Sequence, residues 1–203
     1  MFIEQVPNIV RNLFPKALWR MNPDEKSVYL TFDDGPIPII TPWVIDLLGQ
    51  YDIKATFFMV GDNVRKYPQE YMQVVENGHR VGNHTFNHLK GLFTGTKEYI
   101  ENVDKADALI HSNLFRPPHG ILRHKQYKEL SKRYQFSMWD RVTRDYSFRL
   151  NGEDVLANVK KFVRNGSIIT FHDSIRSENN LKYALPRSID WLLEQGYEFK
   201  VFK

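Results

Sequence analysis

Apolar, β-branched and aromatic residues gather in short runs at 28–32, 55–60, 80–82, 114–116, 135–139, 167–171 and 197–202. Between them, apolar residues recur with helical spacing over 40–51, 63–77, 96–112, 123–134, 152–165 and 181–195. Strand runs alternating with helical stretches predict a parallel α/β domain. The pairs Asn77-Gly78, Asn165-Gly166 and Gln195-Gly196 predict helix stops, because glycine takes the left-handed cap without strain. Two topologies fit: a doubly wound open sheet and a barrel. The 203 residues fall short of the ~250 typical of an eightfold barrel, but a seven-stranded, distorted or incomplete barrel fits them. A single domain is expected over 27–203, with 1–26 as an N-terminal segment docked on it.

That segment carries Val6, Ile9, Val10, Leu13 and Ala17 at helical spacing, interrupted by Arg11, Asn12, Pro15 and Lys16. It has no continuous apolar stretch after a basic start, so it does not read as a secretory signal, and a cytoplasmic location is expected. A peripheral membrane contact through residues 1–21 is the alternative to docking. No apolar run approaches the ~20 residues of a membrane span. The chain has no cysteine, which excludes a disulfide scaffold and thiolate metal sites. Its formal net charge of +4 is dispersed and gives no argument for a nucleic-acid partner.

In parallel α/β folds the site lies at the carboxyl ends of the strands. The first strand run is followed by Asp33-Asp34-Gly35-Pro36 and the third by Asn83-His84-Thr85-Phe86-Asn87-His88. Arg116 ends the fourth, before Pro117-Pro118-His119-Gly120. Asp140, Arg144 and Asp145 follow the fifth, and His172-Asp173 closes the sixth. Helix capping accounts for one acid at a time, but not for this convergence on one rim. His84 and His88, four apart, share a helical face or one wall of a tight loop. With one carboxylate from Asp33-Asp34 they make a His₂–carboxylate set with open positions, leaving the other acid free as a base. Asn83 or Asn87 is a candidate to orient a ligand. His79, His111 and His124 read as structural or solvated.

These residues carry a family resemblance. Thr31-Phe32-Asp33-Asp34-Gly35-Pro36 resembles the first signature of the polysaccharide deacetylases, the NodB-homology domain of carbohydrate esterase family 4. His84–His88 resembles the second, Arg116–Gly120 the third, Trp139–Tyr146 the fourth and Ile168–Asp173 the fifth, in the family's order over about 28–202. The resemblance implies a distorted (β/α)₇ barrel and metal-dependent removal of acetyl groups from an N-acetylated glycan or glycoconjugate. It assigns Asp34, His84 and His88 to one divalent metal, with zinc expected and cobalt or nickel as substitutes. Asp33 matches the catalytic base and Arg116 its partner, His172 the general acid and Asp145 the acid that tunes it. His119 matches a position whose backbone N–H helps hold the oxyanion.

The sequence departs from the family pattern at Leu89, where proline is usual, and at His119, where another aromatic is usual. Tyr146 and Thr170 stand where a tryptophan and a leucine usually wall the acetyl pocket, which predicts a more polar pocket and weak activity on simple N-acetylglucosamine oligomers. Two other readings use the same residues: hydrolysis of another non-peptide C–N amide bond, and a catalytically silent carbohydrate-binding module. The silent module predicts loss of Asp33 or His172, and both are present.

Overall fold

The computed structural model describes residues 11–202. Eight parallel strands alternate with seven helices: β1 (Ser27–Asp33), α1 (Ile40–Gln50), β2 (Thr56–Met59), α2 (Gly61–Lys66), α3 (Pro68–Glu76), β3 (Arg80–Asn83), α4 (Thr96–Ile110), β4 (Leu114–Phe115), α5 (His124–Leu130), β5 (Gln135–Phe136), β6 (Arg141–Val142), α6 (Gly152–Phe162), β7 (Ser167–His172), α7 (Glu178–Glu194) and β8 (Glu198–Phe199). Spatial order is β5-β4-β3-β2-β1-β7-β6, a curled sheet that makes an incomplete (β/α)₇ barrel. β2 pairs only with Thr31–Asp33 of β1, and β8 takes the free edge at Ser27 and Val28.

All seven residues of β1 are buried, as expected of a strand covered on both faces. Its alternation sorts them into two environments. Val28, Leu30 and Phe32 pack outward with Ile169 and Phe171 of β7 and with α1, α6 and α7. Tyr29 and Ile168 close the barrel floor with Phe58, Leu114 and Phe202. Above them Thr31 pairs with Thr170, and Asp33 with His172. The interior therefore passes from apolar at the bottom to titratable at the carboxyl rim.

Three expectations need correction. The stretch 63–77 is two helices, because Pro68 lacks an N–H and forces Tyr67 out of helical geometry (φ −127°, ψ 58°). The run at 135–139 does not end the strand region. The chain bends at Asp140 and resumes as β6, which pairs with β7 and not with β4. Gly166 has φ 73° but lies beyond α6, in the turn into β7.

Val6, Ile9 and Val10 lie outside the described residues. From Arg11 onward the segment forms turns and bridges. Leu18 pairs with Ser137 and Arg20 with Ser167, while Phe14 and Trp19 are buried. No helix among the described residues is long and apolar enough to cross a membrane.

Candidate active site

Asp34 and the loop after β3 bring three donor atoms together. The ligand-capable atoms of Asp34, His84 and His88 lie within 4.8 Å of one another. Nδ1 of His84 is 2.7 Å from the Arg116 carbonyl oxygen, which can only accept, so Nδ1 carries the proton and Nε2 presents a lone pair. Burial outweighs the pull of Asp33 and Asp34 and pushes His84 down to about 4, so the ring is neutral. Its Nε2 faces Asp34 Oδ1 at 3.7 Å, and Nε2 of His88 lies 3.2 Å from the same oxygen. That oxygen is shielded from solvent and makes no hydrogen bond. Burial alone would raise the Asp34 carboxyl, but the imidazoles of His88, His172 and His84 hold it well below the usual carboxylate range. The His84 lone pair and the His88 ring nitrogen, converging on one carboxylate oxygen, fit a divalent cation.

The loop after β3, and not a helical face, sets the spacing of the two histidines. Asn83 is buried beneath it, accepting from Thr85 N (2.8 Å) and donating to Val103 O (3.0 Å). Asn102 of α4 accepts from the backbone of Phe86 and Asn87 and donates to the Asn87 side chain. The Arg116 carbonyl, and not Asn83 or Asn87, holds the His84 ring. Asp173 accepts from Gly35 N (3.1 Å) and Thr41 Oγ1 (2.6 Å), fixing the backbone after Asp34, and burial pushes its carboxyl up to about 8. A Cβ on Gly35 would overlap that carboxyl group. Among the described residues, eight non-glycines have positive φ, and six of them (Asp34, Ile39, Thr85, His88, His119 and Arg144) sit on rim loops. Such backbone costs roughly 1–3 kcal/mol per residue and persists where the surroundings impose it.

Asp33 stands beside this triad with a different partner. Its Oδ1 accepts from Nη1 of Arg116 at 2.6 Å. Arg116 is fully buried, lies 4.1 Å over the Phe58 ring and also donates to Ser137, Met138, Thr31 and Thr170. Thr170 Oγ1 is 3.1 Å from Thr31 Oγ1 and accepts from Arg116 at 3.2 Å. The hydroxyl expected on a pocket wall is thus engaged inside the barrel, one layer below the rim. Thr170 supports Arg116.

Across the rim, His172 donates from its backbone N to Asp145 Oδ2 and from Nδ1 to Asp145 Oδ1, both at 2.7 Å. Burial would lower this imidazole, but the Asp145 charge and hydrogen bond prevail and raise it to about 9. Tyr146 packs edge-on against it, ring centroids 4.8 Å apart. Asn180 of α7 donates to the carbonyls of Asp145 and Leu150 and so anchors the loop after β6. His119 packs edge-on against His88 at 4.8 Å, and burial lowers its pKa. An open cleft of about 360 Å³, lined in part by Asp34, Asn63, Asn87 and His88, lies over the donor triad.

Asp140 does not join the site. It precedes β6, beside the start of β7, where its buried carboxylate accepts from Arg164, Arg11 and Ser167. The contributing strand ends are not all neighbours in the sheet: β2 intervenes between β1 and β3, and Asn63 beyond it donates to Asp34 O at 2.8 Å. His79 accepts from Ala55 N within the fold, while His111 and His124 occupy helix ends.

The polysaccharide deacetylase profile matches residues 20–139. A peptidoglycan-N-acetylglucosamine deacetylase from Bacillus cereus is 36% identical over 191 residues, covering 89% of this chain and 88% of the relative. The chain belongs to the polysaccharide deacetylase family. Among solved structures, a peptidoglycan N-acetylglucosamine deacetylase bound to a naphthalenyl N-oxidanyl-benzamide superposes with TM-score 0.89 at 26% identity, covering 97% of this chain and 95% of that one. A pseudoenzyme of carbohydrate esterase family 4 from Bacillus anthracis gives 0.81 at 25% identity, covering 89% and 65%. This polysaccharide deacetylase homologue spans 38% and 37% of the length of two longer relatives.

Proposed function

We propose that this protein hydrolyses N-acetyl groups of a glycan, with Asp34, His84 and His88 holding one divalent metal, zinc by preference. The carrying observation is the flanking of an orphaned His₂–carboxylate triad by two differently paired groups, Asp33 on Arg116 and His172 on Asp145. A divalent cation in such a set lowers the pKa of a coordinated water from about 15.7 to about 7 and polarises the substrate carbonyl. Arg116 occupies Oδ1 of Asp33, which leaves Oδ2 to take a proton from the attacking water. His172 is cationic at neutral pH, with Nδ1–H committed to Asp145, so Nε2–H is the donor to the departing nitrogen. The His119 ring packs against His88, and its backbone N–H is the group assigned to help hold the oxyanion. Relatives named as glycan deacetylases support the substrate class over other C–N amides. The retained Asp33 and His172 favour catalysis over a silent binding role.

Metal analysis together with acetate release tests this reading. Purified protein is expected to carry one divalent ion per chain and to release acetate from N-acetylglucosamine oligomers or peptidoglycan. His84→Ala should lose both. Metal retained in that variant, or no acetate from any glycan, overturns the assignment.

The pairing of His172 also predicts a pH dependence. Because the ring must be protonated to donate, kcat should fall on the alkaline side near the value of about 9. Asp145→Asn removes the largest charge that raises it and leaves burial opposed only by the more weakly acting Asp34 and Asp33, so the alkaline limb should move toward lower pH. The same shift contributes stability that is complete below the ordinary 6.5 and is lost as pH rises through about 9. A pH profile unchanged in Asp145→Asn removes His172 as the acid.

A further inference from the structure

Beyond His172 the rim continues into an open groove of about 610 Å³. Ser147, Phe148 and Leu150 line it from the loop after β6, and Ile175, Arg176 and Asn179 from the segment after β7. No acidic residue lines it. Phe148 is 83% and Ile175 75% exposed, an unusual display of large apolar side chains beside a polar site.

Arg176 gives the groove its chemistry. Its Nε donates to the Tyr146 carbonyl at 2.8 Å, and its guanidinium carbon lies 4.4 Å over the Phe148 ring. An exposed arginine ordinarily loses rotamer freedom when it binds; here one hydrogen bond and one stacked face already hold it. The two terminal nitrogens remain as a planar fork with no partner among the described residues, a shape that matches a carboxylate bidentately. The fork is continuous with the centre. Tyr146 touches His172 on one side, and its ring centroid lies 5.9 Å from the Arg176 guanidinium carbon on the other.

We propose that Arg176 reads a carboxylate on the sugar next to the one that loses its acetyl group, with Phe148 and Ile175 offering apolar surface to the C–H face of a ring. The preferred substrate is then an anionic strand in which carboxylate-bearing sugars alternate with N-acetylated ones. This rests on the glycan deacetylase reading and adds the specificity of a neighbouring subsite.

The test compares three probes of equal length: neutral N-acetylglucosamine oligomers, peptide-free peptidoglycan strands carrying free carboxylates, and the same strands methyl-esterified. Wild type is expected to prefer the carboxylate strand. Arg176→Gln should cut that preference about tenfold, the size of one charge-assisted contact, with the loss in KM because the fork touches a non-reacting sugar. Esterification should reproduce the loss in wild type without altering the protein and add little in the variant. A preference insensitive to both changes, or none in wild type, overturns the proposal. Acetate release from no strand would instead overturn the deacetylase reading. Titration calorimetry on the same strands would then decide the role of Arg176 separately: binding preference lost in Arg176→Gln supports it, and equal binding of all three strands overturns it.

Discussion

Asp33→Asn is expected to lower kcat by about 10²–10⁴-fold, the range for a positioned base, while metal stoichiometry stays intact. Asp34→Asn is expected to lose the metal and activity together. The two acids are adjacent in sequence, yet their surroundings separate them. Asp33 ends a regular strand with its carboxylate on Arg116, whereas Asp34 has φ 82° and turns its Oδ1 toward His84 and His88. Asparagine at 33 keeps an oxygen for Arg116 Nη1 and removes only the basic site. At 34 it removes the one anionic donor of the triad. Metal content by mass spectrometry and kcat below the unfolding temperature distinguish the two, and identical behaviour in both assays would show that the acids share one role.

The residues of this contrast were legible in the chain because each stands in a short motif directly after a strand run, where a one-residue error in strand length changes little. Asp140 was misassigned for the opposite reason. β6 is two residues long and half-buried, and it exists only because the chain changes partner from β4 to β7 at a bend. No periodicity marks such a strand, and without it Asp140 and Asp145 read as one cluster. The break at Tyr67 did carry a signal, since Pro68 interrupts the helical stretch. Asn102 and Asn180 carried almost none. Each is a polar residue on a long helix, indistinguishable in sequence from a solvated position, and each bonds the backbone of a rim loop. Thr170 illustrates a similar limit. Its place two residues before His172 is readable, but the destination of its hydroxyl depends on Arg116, which arrives from β4 on the far side of β1.

Arg116→Met is expected to destabilise the protein by about 3–5 kcal/mol, the cost of removing one partner from a buried ion pair. For a chain of this size that lowers Tm by roughly 6–20 °C. Methionine fills similar length but donates nothing. Its arrival leaves Asp33, 4% exposed, without its cation and strips donors from the Ser137 and Met138 carbonyls in the barrel interior. Much of the loss should come from the stranded charge and not from the missing contacts. Asp33→Asn in the same chain removes that charge, so the double variant should be less destabilised than the sum of the two single variants. Thermal unfolding of the four proteins in the cycle measures this coupling. Additive losses would mean that Arg116 serves the barrel as a packing element, and that its hold on Asp33 contributes little to the charge on the base.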